Sequence, residues 1–158
     1  MTPDRANAPF DWPAILALIQ DSFAYMEGRI DPPSSMLRLT APDIERQAAE
    51  GEVWVIGQPP VACVFLTVKP SALYIGKLAV ARSQRGRGLA RALIDMAESR
   101  ARTLGLPMLE LQTRVELTEN HATFRALGFT ETARTAHAGY ARPTSITFRR
   151  PVQPTGAA

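Results

Sequence analysis

The sequence predicts a single domain of the α/β (α+β) class, with a mixed and mostly antiparallel sheet, one parallel strand pair and flanking helices. Three observations predict it. Runs of β-branched and aromatic residues at 53–56, 61–68 and 73–80 are separated only by turn residues. A strand, a long helical stripe and a second strand then follow one another between Leu73 and Leu111, an order that needs a crossover to a parallel neighbour. The length of 158 residues, 46% hydrophobic and 21% charged, suits one core, which buries roughly two thirds of the extended-chain surface.

Taken in order, Asp11 is an N-cap and Pro13 an early-turn proline for a first helix. Its apolar positions Ile15, Leu16, Ile19, Phe23 and Met26 recur at helical spacing. Pro32 and Pro33 cannot continue it, so residues 28–35 predict a shaped loop. A second short helix follows Thr40, with Pro42 early and Gly51 as its stop. The turns Gly57-Gln58-Pro59-Pro60 and Lys69-Pro70-Ser71 join three antiparallel strands, and the middle one is apolar at nearly every position, as a strand covered on both faces would be. Leu89, Leu93, Met96, Ala97 and Leu104 form a helical stripe that Gly105 ends, and Pro107, Leu109 and Leu111 begin the parallel strand. A helix over 118–127 and strands over 130–136 and 144–149 complete one domain over 1–158. About 10–150 is expected to be ordered, with a loose tail from Pro151.

Met1 to Pro9 carries no apolar stretch behind basic residues, and the apolar runs 13–19 and 61–68 are too short to cross a bilayer. Neither secretion nor a membrane contact is expected, and a cytoplasmic location is. Cys63, the only cysteine, permits no internal disulfide, and with His121 and His137 it gives no metal-ligand spacing, so no metal is expected. Trp54, Phe65 and Phe129 read as core, Cys63 as buried and inert, and the two histidines as surface residues.

The most informative segment runs from Val80 to Arg91, where a strand ends and the long helix begins. Gly86 and Gly88 let the backbone approach a ligand and turn its amides inward, and a helix N-terminus favours an anion. Arg82, Arg85, Arg87 and Arg91 surround the same turn, and all 18 basic residues except Lys69 and Lys77 are arginine, the better bidentate phosphate ligand. A P-loop would need Lys-Ser/Thr where Leu89-Ala90 stands, and a dinucleotide fingerprint would need glycine or alanine at Arg91. Nucleic-acid binding through these arginines predicts a steep salt dependence that a net charge of only +3 disfavours, so no nucleic-acid partner is expected.

With that segment the sequence resembles the GNAT superfamily of N-acetyltransferases. Its pyrophosphate motif, Arg/Gln-x-x-Gly-x-Gly/Ala, stands here as Arg85-Gly86-Arg87-Gly88-Leu89-Ala90, after the strand Leu78-Ala79-Val80. Thr118-Glu119-Asn120 and the Phe124-to-Phe129 segment, with its Leu127-Gly128-Phe129 ending, are similar to the family's later helix. The resemblance covers roughly Val53 to Arg149 and implies a GNAT-like fold with acetyl-CoA as cosubstrate. It implies that Leu78, Ala79 and Val80 line the pantetheine beside a β-bulge, and that Arg85, Gly86, Arg87, Gly88, Leu89, Ala90 and Arg91 hold the pyrophosphate. Asn120 matches a pantetheine-binding position or caps the helix with Thr118, and Phe124 packs on the pantetheine or in the core. Phe124 also stands where the family often places a tyrosine that protonates the leaving thiolate.

Acetyl transfer needs a neutral amine, and a free alkylamine has a pKa of about 10, so the site must remove its proton. The strand that carries a glutamate base in some members has none here. Glu110, Glu27 and Tyr74 are the candidates, with Tyr140 a lesser one. The acceptor, a small-molecule or peptide amine, is expected across the sheet from the cofactor, between the loop from Arg29 to Ser35 and the closing strands near Tyr140. Arg29 and Asp31 there either read its charges or pair with each other. A non-catalytic acyl-CoA-binding or regulatory module is the alternative, and a homodimer is common in the family.

Overall fold

Asp11 Oδ1 accepts the Ala14 N–H at 3.2 Å and Pro13 lies in the first turn, so α1 (Trp12–Phe23) starts where the sequence predicts. The chain then tightens into a 3-10 turn over Ala24–Met26 rather than continuing as α-helix. Thr40 and Asp43 close a capping box on α2 (Ala41–Glu50). These come from a computed structural model that describes residues 1–154. The strands are β1 (Asp4–Arg5), β2 (Glu52–Ile56), β3 (Ala62–Val68), β4 (Leu73–Val80), β5 (Met108–Arg114), β6 (Thr130–Thr135) and β7 (Ser145–Pro151), with α3 (Leu89–Leu104) between β4 and β5 and α4 (Thr118–Ala126) between β5 and β6.

The seven strands form one sheet in the order β1-β2-β3-β4-β5-β7-β6. All neighbours are antiparallel except β4 and β5. Along β3, Ala62, Val64 and Leu66 face α3 while Cys63 and Phe65 face α1 and α2, which is why the strand carries no polar alternation. Ile15, Ile19 and Ile44 on one side and Leu93, Ile94, Leu109 and Phe148 on the other are fully buried, each stabilising by roughly 1.5–3 kcal/mol. Gly105, at φ 73, ends α3 and donates its N–H to Ala101 and Arg102 carbonyls. No helix among the described residues is long and apolar enough to cross a membrane.

Before Phe10, β1 pairs with the edge of β2 and Ala6 is buried. Hydrogen bonds to the body of the domain reach as far as Gln153. Val152 donates its N–H to Pro107 O at 2.9 Å, and the Gln153 N–H reaches Glu98 at 3.0 Å; residues 155–158 lie outside the described residues. His121 is buried, not superficial, with its Nε2 2.9 Å from Arg114 O and its ring against Phe148.

Candidate active site

β4 and β5 pair only at Leu73 with Leu109 and Tyr74 with Glu110. Beyond these pairs β4 runs on to Val80 and β5 to Arg114 without a ladder between them, while β3 and β7 hold their outer edges. The two strands therefore part, and the sheet opens a notch whose walls carry backbone N–H and C=O groups with no ladder partner. On the β3 side the register slips between Cys63 and Phe65, where Gly76 to Ala79 of β4 hold one residue more than β3 opposite. This bulge centres on Lys77, at φ 49, slightly earlier than the Leu78–Val80 segment that the sequence suggested.

The end of β4 leads through a 3-10 turn at Arg82–Gln84 into the glycine segment and α3. Gly86 has φ 79 and Gly88 φ 78, and a Cβ at either would meet no atom within 4 Å, so the requirement for glycine is the left-handed backbone itself. Gly88 is the N-cap of α3 and offers no side-chain acceptor. Among the described residues the N–H groups from Gly86 through Arg91 donate to no protein acceptor, and the first bond of the helix is Ala92 N–H to Gly88 O. Gln84 Oε1, beside them, is buried without a donor.

Arg82, Arg87 and Arg91 are exposed and have no carboxylate within 4 Å among the described residues. Arg85 is used differently, bracing the turn with Nε 3.4 Å from Val80 O and Nη2 3.4 Å from Ser22 O. A row of free amides at a helix N-terminus with unpaired guanidinium groups fits a diphosphate ester, and no metal-ligand cluster occurs among the described residues.

Of the candidate catalytic groups, Glu110 lies at the closed end of the notch. It is buried and engaged by Arg149 at 2.7 Å and Lys69 at 3.6 Å. Glu27 is exposed and lines a separate apolar hollow of about 420 Å³ with Phe23, Met26, Ile30 and Met36. Tyr74 stands at the point where the strands part, with Lys69 Nζ 4.3 Å from its ring centre. Burial, and after it the Glu110 charge, push its phenol pKa up, against a hydrogen bond from the Gln112 backbone. Tyr74 is thus a neutral O–H donor at physiological pH.

Asn120, in the first turn of α4, holds the Tyr25 hydroxyl, with Nδ2 3.1 Å from it. Phe124 packs edge-on to Phe129 at 6.3 Å and against Phe148 at 6.1 Å, as part of the core. Arg29 and Asp31 do not pair with each other. Arg29 bridges to Glu119 at 2.7 Å, and Asp31 accepts from Tyr140 at 2.6 Å and from Arg142 at 3.4 Å. Arg114, at the end of β5, donates to Pro32 O at 2.6 Å and Pro33 O at 3.2 Å, so the loop 28–35 is fastened over the open end of the notch. Tyr25, Lys77, Arg114 and Glu116 escaped the sequence reading. Lys77, a lone charge in the apolar run of β4, was the one available signal.

The chain is similar in fold to several solved structures. The ribosomal-protein-S18-alanine N-acetyltransferase from Escherichia coli is 18% identical with a TM-score of 0.70, over 99% of this chain and 96% of that one. A GNAT family acetyltransferase from Staphylococcus aureus is 14% identical with a TM-score of 0.73, over 96% and 99%. A GNAT family acetyltransferase from Elizabethkingia anophelis with acetyl-CoA bound is 16% identical with a TM-score of 0.67, over 95% and 97%. A comparison with curated proteins finds no match. The profile of the acetyltransferase (GNAT) family matches residues 12–129, a span that holds both the notch and the glycine turn, and the chain belongs to that family.

Proposed function

We propose that the protein transfers an acetyl group from acetyl-CoA to the primary amine of a small molecule or a peptide, by direct attack with both substrates bound. The observation that carries this reading is the continuity of the free amides at Gly86–Arg91 with the notch between β4 and β5. A diphosphate at the turn leaves a thioester arm to run along β4 into the notch, where the unpaired strand edges offer it hydrogen bonds. Acetyl-CoA supplies the activated acyl carbon and a leaving thiol.

Gly86, Gly88 and the amides up to Arg91 bind the diphosphate, and Arg82, Arg87 and Arg91 neutralise charge around it. A backbone N–H on the notch edge of β4, next to the bulge at Lys77, donates to the carbonyl oxygen as negative charge develops there, worth on the order of 3 kcal/mol. Holding amine and carbonyl side by side supplies much of the remaining acceleration. Tyr74 orients water at the parting of the strands, and the ammonium proton passes through that water to bulk solvent. Phe124 brings no hydroxyl, but a thiolate with a conjugate pKa of about 8.5 leaves without strong assistance. Tyr25, whose hydroxyl is held by Asn120 on the first turn of the same helix, is the candidate donor in its place. The lone buried thiol, Cys63, is compatible with a reducing cytoplasm.

The test is release of free thiol from acetyl-CoA across a panel of amines, with calorimetry of CoA binding alongside. Turnover of any primary amine supports the transferase. Tight CoA binding with no acceptor turned over points to the acyl-CoA-binding module instead.

A further inference from the structure

Between the end of α1 and the start of α2 the chain makes neither α-helix nor strand. It tightens into 3-10 turns at Ala24–Met26 and Ser35–Arg38 and changes direction at Gly28, whose φ is 73. These turns enclose the hollow of about 420 Å³, a volume within the range of small-ligand sites. Phe23, Met26, Ile30, Met36 and Leu37 line it, and Leu37 keeps 54% of its surface exposed while Met36 beside it is buried. Apolar walls around an open space gain from an apolar guest, and two methionines among them adapt to its shape.

Among the described residues Glu27 alone lines the hollow with a charge. Its side chain is exposed, and no cation lies within 4 Å of its carboxylate among them. The walls of the hollow are also fixed to the ends of both strands that part. Pro33, a lining residue, accepts from Arg114 at the end of β5 at 3.2 Å. Ser22, next to Phe23, donates its hydroxyl to the carbonyl of Val80 at the end of β4 at 3.4 Å.

Building on the acetyl-transfer reading, we infer that the acceptor is a primary monoamine with a hydrocarbon group of several carbons, which fills this hollow while Glu27 attracts its ammonium. Charge complementarity selects the cation, and the apolar walls select what it carries. A carboxylate on the same molecule would meet the Glu27 charge. A second ammonium at the far end of the chain would lose its water among Phe23, Ile30 and Met36 with no anion to replace it.

The experiment measures thiol release from acetyl-CoA with straight-chain primary amines from propylamine to octylamine and with the terminal diamines of the same lengths. Thermal stabilisation by the same amines, with CoA present, is measured separately. Each added methylene is expected to raise kcat/KM about fourfold, through KM, until the hollow is full. Diamines are expected to fall about tenfold or more below monoamines of equal length. Ala24→Trp places an indole at an exposed lining position and should flatten the rise with chain length while leaving CoA affinity unchanged. Glu27→Gln should lower every monoamine about twofold to fivefold and leave the rise intact. A kcat/KM independent of chain length, diamines used as well as monoamines, or a rise that survives in Ala24→Trp each overturns the inference. Stabilisation that grows with chain length and is lost in Ala24→Trp, without thiol release from any amine, upholds the hollow as an amine site and overturns only the transfer reading.

Discussion

The cradle can be tested with two alanines on one helix. Gly88 and Gly105 flank α3 at φ 78 and φ 73, and a Cβ at either meets no atom within 4 Å. Alanine at each position brings left-handed strain of about 1–2 kcal/mol, offset by about 0.4–1 kcal/mol from the stiffer unfolded chain. Both variants should lose about 1 kcal/mol, a fall in Tm of about 2–4 °C. They differ in what the new methyl faces. At Gly88 it enters the space beside the free amides of Gly86–Arg91, and at Gly105 it faces the far end of the helix. Displacing a phosphate oxygen from one charge-assisted hydrogen bond is worth about 1.5–3 kcal/mol, so Gly88→Ala should weaken CoA binding about 10–100-fold. Gly105→Ala should leave it unchanged. Differential scanning calorimetry and titration calorimetry with CoA measure the two effects independently. Equal destabilisation with unchanged CoA affinity in both variants would refute the cradle as the phosphate site.

Three other outcomes follow from the packing. Glu52 is 8% exposed, accepts from Trp54 Nε1 at 2.8 Å and from Arg100 at 2.7 and 3.0 Å. Burial pushes its pKa up, but these donors outweigh it and hold the group below its ordinary value. Arg100→Met strands the carboxylate and should cost about 3–5 kcal/mol near pH 7. Because the folded pKa is lowered, that gap is present above the usual carboxylate value and closes as pH falls below about 4; a denaturant series showing no pH dependence of the gap contradicts this. Cys63 is fully buried and its thiol pKa is pushed up to about 12 by burial, so a disulfide reagent at pH 8 should label only the unfolded chain, and rapid labelling of native protein would contradict the packing. Tyr74→Phe should lower kcat about 100-fold and remove an alkaline limb lying above the usual tyrosine value of about 10, while full activity would dismiss Tyr74.

The elements that the sequence revealed are those set by local rules. The cap at Asp11, the box at Thr40 and Asp43, the stop at Gly105 and the two-sided apolar run of β3 each depend on residues within a few positions of one another. β1 escaped because two polar residues, Asp4 and Arg5, carry no alternation, and only the bare edge of β2 makes them a strand. His121 was misplaced because what buries it is a carbonyl at the end of β5 and the face of Phe148 on β7, neither visible in the pattern of α4. The glycine turn was legible because it consists of a backbone conformation, which glycine spacing reports directly.

The acceptor side obeys the opposite logic. Residues 29–33 are fastened by Arg29 to Glu119, Asp31 to Tyr140 and Arg142, and Pro32 and Pro33 to Arg114, pairs that lie more than 80 positions apart in the chain. Each is partly exposed and contributes little alone, so none leaves a local signature in the sequence. Together they join β5, α4 and the segment before β7 to one loop that precedes the notch in the chain.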